Sequence, residues 1–420
     1  MKYKDVLNWI HGQLTFGIKP GIDRMKWVLE QLGNPQDNIF AIHVVGTNGK
    51  GSTVNNLQHI LTNSGYHVGT FTSPYIVDFK ERISVDGQMI PEEDLVTCAE
   101  LIKPLTDRIA GETDFGEVTE FELITLIMFL YFGRLHPVDI AIIEAGLGGR
   151  FDSTNLFNAF AVICPSIGLD HLNILGDTYS AIAEQKAGVI KGSEAVIFAI
   201  DNQEARQVFL DKIAEKKAVA YEYGHEFNLS PTADALEFTS QLGKISQLEL
   251  AMPGQHQLSN ASLSIMAAQL LQEKMPKITD KAIRKGLKEA FWLGRTELLA
   301  DNLMIDGAHN KESVLALVDV VKEHYADKRI HLLFGAIDTK PIDDMLKLLE
   351  TVGDVRVTSF RYPNAYPLEK YPERFERCPD FKAWLANIDL SSQSDFYLVT
   401  GSLYFISEVR QYWKLEKDKG

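Results

Sequence analysis

Cysteine is scarce: Cys98, Cys164 and Cys378 are the only three in 420 residues. Their wide spacing excludes a disulfide framework and a thiolate metal site. No stretch approaches the roughly 18 apolar residues that a membrane helix needs. The first fourteen residues are amphipathic and lack the apolar core and small-residue cleavage site of a secretory signal. These absences point to a reducing cytoplasm and no membrane partner. Positive charge is also short. Lys and Arg number 42 against 57 Asp and Glu, a formal net charge of −15, which argues against a nucleic-acid partner. An anionic substrate would have to be held by local features: backbone N–H groups, a few basic side chains, or metal ions. Internal repeats and low-complexity tracts are lacking too.

What is present is a regular alternation of strand and helix patterns. At this length two domains are expected. AIHVVG (41–46) reads as a buried strand with a glycine stop, and HVGTFTS (67–73) as the next strand. Between them STVNNLQHILTNSG (52–65) has helical spacing, Ser52 or Thr53 as N-cap and Gly65 as the stop. This is the βαβ unit of an open parallel sheet. The alternation continues with a helix at 122–135, strands at 139–146 and 159–168, a helix at 179–191, a strand at 194–200 and a helix at 203–218. Residues 221–252 read as short antiparallel strands, followed by helices at 256–274 and 280–292. A second α/β series begins after 294–300, with strands ending at 303–310 and at 329–335, 354–360 and 395–401, and a helix at 312–325. The expected fold is therefore α/β: a mostly parallel, phosphate-loop-type sheet with a small antiparallel appendage, then a smaller Rossmann-like domain.

Five stretches carry candidate chemistry. GTNGKGST (46–53) departs from the standard phosphate-loop pattern at two places, because Val44 replaces the first glycine and Gly51 follows Lys50. Its physics survives both changes. Glycine-turn N–H groups and the helix dipole cradle an anion, Lys50 adds a mobile charge, and a hydroxyl arrives one residue late as Ser52. In IIEAGLGGRFDSTN (142–155), Glu144 ends a buried strand, where open α/β sheets bind ligands, and offers the hard oxygen that Mg²⁺ prefers. Pairing with Arg150 is the bland alternative. His171 follows another strand end, and Lys186 lies in a helix of small and apolar residues; either one alone reads as structural. TSPYIVDFKERISVDG (72–87) reads as a polar loop able to close over a substrate. GRTE (294–297) and DGAHN (306–310) place Asp306 and His309 after a strand end, where they either face a ligand or cap the next helix.

GTNGKGST, TSPYIVDFKERI (72–83), EAGLGGRFDSTN (144–155), SIGLDHLNILGDT (166–178) with EQKAGVIK (184–191), PGQHQLSNA (253–261), GRTE and DGAHN together resemble the folylpolyglutamate synthase/dihydrofolate synthase family of the Mur ligase superfamily. The motifs follow family order to TGSLYF (400–405), so the resemblance covers nearly the whole chain. It implies an ATP-binding central domain over 1–295 and a glutamate-ligase domain over 296–420. It also implies ATP-dependent ligation of L-glutamate to the γ-carboxylate of a reduced folate through an acyl phosphate. Thr47, Asn48, Gly49, Lys50, Gly51, Ser52 and Thr53 would bind nucleotide, joined by Asn260, Arg295, Asp306 and His309, so that catalysis would require domain closure. Ser52 and Glu144 would hold one Mg²⁺, and Ser73, Glu144 and His171 a second, with a monovalent cation as a further candidate. Lys50, His171 and Lys186 are the implied catalytic set, Lys186 being a candidate for carbamylation by CO₂. Phe121, Asp152 and Arg82 fall on the folate side, and Lys80 and Arg82 are candidates for a basic patch. The chain departs from the family at Tyr75, where histidine is common. A monomer is the family expectation. Two alternatives stay open: a bifunctional enzyme that also makes dihydrofolate from dihydropteroate, and, more remotely, a nucleotide-binding module without ligase chemistry.

Overall fold

The computed structural model describes residues 1–13 and 21–417; Leu14, the last residue of the amphipathic N-terminal segment, lies outside them. Eight strands form the larger sheet: β1 (Ala41–Val44), β2 (Val68–Phe71), β3 (Ile83–Val85), β4 (Gln88–Met89), β5 (Ile140–Glu144), β6 (Ala161–Cys164), β7 (Ala195–Phe198) and β8 (Val219–Glu222). Their order is β4-β3-β2-β5-β1-β6-β7-β8. From β2 to β8 every pairing is parallel. Parallel strands covered on both faces read as unbroken apolar runs, and β1, β2, β5 and β6 are buried at every residue. The chain leaves β1 for β2 on one side and reaches β7 and β8 on the other. The carboxyl ends of β1, β5 and β6 therefore stand at the point where strand order reverses, the ligand edge of an open sheet.

Two expectations are corrected here. The segment 72–87 is not loop throughout, because β3 pairs antiparallel with β2, Gly69 opposite Val85 and Phe71 opposite Ile83. Ile83 and Val85 alternate with Ser84 over only three residues, a signal too short to stand out beside the charged DFKER that precedes it. The antiparallel appendage is also shorter than read. Residues 219–222 join the main sheet as β8, parallel to β7, while β9 (Phe227–Pro231), β10 (Leu236–Ser240) and β11 (Gly243–Leu248) form the three-stranded antiparallel sheet. The helix read at 122–135 is α-helical over Glu120–Leu130 and finishes as a π-turn over Tyr131–Leu135. It starts where Thr119 caps it, accepting from Glu122 N at 3.3 Å while the Glu122 carboxylate accepts from Thr119 N at 2.7 Å.

The chain divides into two compact units. The first contains the eight-stranded sheet and its helices. The second runs from Phe291 onward and takes in Ile76–Phe79 and Met252–Gln257. In this second unit β12 (Glu297–Ala300), β13 (Leu303–Ile305), β14 (Arg329–Phe334), β15 (Asp354–Val357), β16 (Glu376–Arg377) and β17 (Asp395–Thr400) form a sheet ordered β12-β13-β17-β14-β15-β16. All its pairings are parallel except β12 with β13. Glu297, at the start of β12, is buried against Arg410 of the helix Leu403–Lys417, Oε1 to Nε at 2.7 Å, and its other oxygen accepts from Gly294 N at 2.8 Å. Removing one partner of a buried pair strands the other charge. Arg410→Ala should therefore cost the second unit about 3–5 kcal/mol, whereas Arg410→Met combined with Glu297→Leu should recover most of it; urea unfolding of the two variants measures the difference.

Candidate active site

The helix after β1 runs over Lys50–Asn63 with Gly49 in the cap position, φ 87°, and no side chain caps it. Ser52 and Thr53, expected as N-cap residues, lie instead inside the first turn. A glycine cap leaves the first-turn N–H groups without an internal acceptor and available to an anion. Glycine is required at 49, since a Cβ there would stand 2.3 Å from Asn260 Oδ1. The loop is clamped from below by the segment after β6. Thr47 N donates to Ser166 O at 2.9 Å, Asn48 N donates to Ser166 Oγ at 3.0 Å, and Thr47 Oγ1 donates to Gly168 O at 3.1 Å and accepts from Gly168 N at 2.9 Å. Thr47 and Asn48 thus spend these groups on the shape of the loop. Ser264 Oγ holds Thr53 O at 3.0 Å from the helix Gln255–Leu271, which also carries Asn260.

Register places Glu144 beside Val44, one step from the loop. Its carboxylate is 4% exposed and lies 3.7 Å from Lys50 Nζ, and it accepts a long 3.4 Å bond from Ser73 N. Lys50 Nζ donates to Gly46 O at 3.1 Å and Thr47 O at 3.2 Å. Lys186 Nζ donates to the same Gly46 O at 2.7 Å and is 5% exposed. Burial, followed by the charge of Lys50, draws the Lys186 ammonium down to about 7. The helix that carries it, Tyr179–Ala187, is capped by Thr178. The glycine loop after β5 packs on its backbone: Arg150 N donates to Gln185 O at 2.7 Å, and a Cβ on Gly149 would stand 2.7 Å from Lys186 O.

Lys50, Lys186, Glu144, Ser73 and the loop thus come together at one sheet edge. His171 is exposed and left-handed, φ 52°, at the start of the short helix Leu172–Leu175. Among the described residues no three His, Cys, Asp or Glu side chains cluster as a metal cage. The implied metal set rests on one carboxylate, one imidazole and hydroxyls, and such a donor set suits an ion that keeps water and phosphate ligands. Phe121 is half-buried, with its ring packed on Gly146 and 5.8 Å from that of Phe71. Arg82 Nη2 lies 3.5 Å from Glu120 Oε1, and its guanidinium lies 5.3 Å from the centre of the Tyr75 ring. Lys80 lies 3.2 Å from Glu92 and over the Tyr3 ring. Asp152 is buried, and burial raises its pKa against the pull of the N–H groups of Leu147 and Thr154.

In the second unit the left-handed Thr296 (φ 44°) separates Arg295 from Glu297. Asp306 is buried and accepts from Thr296 N and Ala308 N, each at 2.8 Å. Burial raises the Asp306 pKa and Arg295 opposes the rise. His309 Nδ1 lies 2.7 Å from Gly307 O. The next helix, Lys311–His324, is capped by Asn310, which accepts from Ser313 N at 2.9 Å, so Asp306 is released from that role. His256, which the sequence reading did not single out, lies where burial lowers its pKa and Asp306 and Arg295 pull in opposite senses. It stands inside PGQHQLSNA, so the motif was visible although the residue was not. Ser166 and Gly168 were also missed, because a clamp made largely by backbone carries no side-chain signature.

With this geometry in hand, comparison with known proteins is decisive. Residues 44–268 match the Mur ligase middle domain and residues 294–403 the Mur ligase glutamate ligase domain. The dihydrofolate synthase/folylpolyglutamate synthase of Bacillus subtilis is 40% identical over 430 residues, covering 98% of this chain and 99% of that protein. The chain belongs to the folylpolyglutamate synthase/dihydrofolate synthase family of Mur ligases. Its fold follows suit. The apo form of L. casei FPGS superposes with a TM-score of 0.86 at 31% identity, covering 98% of this chain and 99% of that one. An FPGS–AMPPCP–folate complex superposes with a TM-score of 0.85 at 31% identity, with the same coverage of both chains. In this family member the strained cap at Gly49 is directly testable. Gly49→Ala should displace Asn260, cost about 1–3 kcal/mol and speed hydrogen exchange across residues 46–53; unchanged exchange there would refute the requirement for glycine.

Proposed function

We propose that this protein ligates L-glutamate to the γ-carboxylate of a reduced folate with ATP. The observation that carries the reading is the convergence of Lys50, Glu144 and the buried Lys186 on a glycine-capped phosphate loop. The folate carboxylate oxygen attacks the γ-phosphorus and ADP leaves, giving an acyl phosphate. The glutamate amine, having lost a proton, then attacks the acyl carbon, and inorganic phosphate departs as the amide forms. Each step brings anions together, so the protein's task is positioning and charge neutralisation. Lys50 and the open first-turn N–H groups supply both to the phosphates. Arg295, Asp306, His309 and Asn260 are proposed for the nucleotide, and Phe121, Asp152 and Arg82 for the folate.

Ser52 with Glu144, and Ser73 and His171 with Glu144, are the residues we propose for Mg²⁺, which when bound would neutralise phosphate charge. The fit rests on the hard oxygens of Ser52, Ser73 and Glu144 and on the burial of Glu144 beside Lys50. Lys186 is proposed as the site of carbamylation: an amine drawn down to about 7 is neutral in about half of the molecules near neutral pH and can attack CO₂. A monomer in the cytoplasm is the proposed setting; the cysteines described are free and buried, and no described helix is long and apolar enough to cross a membrane. A second activity, joining glutamate to dihydropteroate, is favoured by the name and 40% identity of the Bacillus subtilis relative.

Phosphate release with ATP, Mg²⁺ and L-glutamate should depend on tetrahydrofolate, with products heavier by one glutamyl unit, and turnover on dihydropteroate would add the second activity. Lys50→Ala should lower the rate by about 10²–10³-fold. Release that no acceptor stimulates would overturn the reading. Carbamylation should show the sign of the Lys186 shift. Enzyme stripped of CO₂ and then supplied with the same concentration of dissolved CO₂ at each pH should regain activity roughly tenfold faster at pH 8 than at pH 6, because the neutral amine fraction rises through a pKa of about 7; equal recovery rates would exclude the amine.

A further inference from the structure

His43 interrupts the apolar run of β1 and is 2% exposed. Its Nε2 lies 2.8 Å from Thr154 Oγ1, and that hydroxyl lies 2.5 Å from Asp152 Oδ1. Thr154 is fully buried and Asp152 is 5% exposed. Asp152 also accepts from Thr154 N at 2.9 Å on the same oxygen and from Leu147 N at 2.7 Å on the other. The direction of the chain follows from proton counting. A hydroxyl has one proton, and the Asp152 carboxyl, which already accepts a backbone N–H on each oxygen, is the acceptor of the short contact. Thr154 therefore donates to Asp152 and must accept from His43, so the imidazole carries its proton on Nε2. Burial, with the charge of Lys191, pushes His43 down to about 3, so the ring is neutral throughout the physiological range. The Phe157 ring packs beside it, 5.0 Å away and tilted by 47°.

The chain of bonds joins two things that the reaction must keep in register. One end is β1, the strand that feeds the phosphate loop. The other is the loop 146–155, which carries Asp152 and packs through Arg150 N on the Lys186 helix. We propose that His43 and Thr154 are positioning residues for the acceptor side of the reaction: the Nε2–H fixes the Thr154 hydroxyl, and the hydroxyl fixes the carboxylate that shapes the folate-side loop. The proposal rests on the reading of Asp152 as a folate residue given above.

The test has a kinetic and a spectroscopic arm. Thr154→Val deletes the hydroxyl while keeping a branched side chain, and Thr154→Ser restores it. Thr154→Val should raise the KM for tetrahydrofolate about tenfold and leave the KM for ATP unchanged, with Thr154→Ser close to the parent. In ¹⁵N-histidine spectra of the parent protein, assigned with His43→Gln, His43 should be protonated on Nε2 and should not titrate between pH 6 and 8. A bare Nε2 overturns the chain of bonds, and this arm decides even where Thr154→Val does not fold. An unchanged folate KM in Thr154→Val, or equal rises in both KM values, overturns the positioning role. Asp152→Asn separates the two levels. If it alters the folate KM while Thr154→Val does not, the inference alone fails; if it too leaves the folate KM unchanged, the reading of Asp152 fails and takes the inference with it.

Discussion

Two lysine ammonium groups share one carbonyl oxygen, Gly46 O, at 3.1 and 2.7 Å, and much of the surrounding structure serves to hold that arrangement. Like charges this close in a poorly hydrated site repel strongly, and the Glu144 carboxylate reaches Lys50 only at 3.7 Å. Burial first, and the charge of Lys50 after it, loosen the hold of Lys186 on its proton. That suits Lys186 to the nucleophilic role proposed for it, and Lys50 to that of counter-charge for phosphate. The carbonyl stays in place because Thr47 and Asn48 are stapled to Ser166 and Gly168. Lys186 stays in place because its helix is clasped by the glycine loop after β5.

This explains why glycine, rather than a polar cap, begins the phosphate-loop helix. A serine or aspartate oxygen at the cap would accept from the first-turn N–H groups, and an aspartate would add negative charge, at the place proposed for phosphate. Gly49 removes that competitor and gives the room that Asn260 occupies. The cost is a backbone that depends on its neighbours, and this is why segments far apart in sequence, near 166, 185 and 260, all converge on eight residues.

Much of this was legible in the sequence. The apolar runs of β1, β5 and β6 and their glycine stops identified the parallel sheet and its ligand edge, and the ordered motifs identified the family. What escaped has physical causes. Ile83–Val85 becomes a strand only because β2 offers it an open edge, a tertiary fact. Val219–Glu222 alternates like the appendage strands that follow it, and only pairing with β7 assigns it to the main sheet. The clamp on Thr47 is largely backbone and invisible to residue type. His43 looks like an ordinary polar intrusion into a strand until Thr154, 111 residues away, is seen at hydrogen-bond distance. Asp306 was read either as a helix cap or as a ligand contact, and Asn310 settles the capping half by doing it instead.

The net charge of −15 sits oddly with substrates that are themselves anions, yet screening makes the contradiction smaller than it looks. Beyond about 8 Å at physiological ionic strength exposed charges scarcely act, so attraction must be built at contact range. The basic side chains of the segment 72–83 are not idle: Lys80 rests on Glu92 and Arg82 on Glu120. Exposed pairs such as Lys80–Glu92 are worth only about 0–1 kcal/mol, so an arriving carboxylate can exchange for the resident one at little cost. The Arg82 pair is different. Both its partners are about nine-tenths buried and 3.5 Å apart, and the guanidinium also lies over Tyr75. An anion that recruits Arg82 must replace Glu120 in a place where an unpaired carboxylate is expensive. That asymmetry makes Lys80 the easier cation to recruit and Arg82 the more discriminating one, and an acidic protein can then hold anionic substrates without attracting every anion in solution.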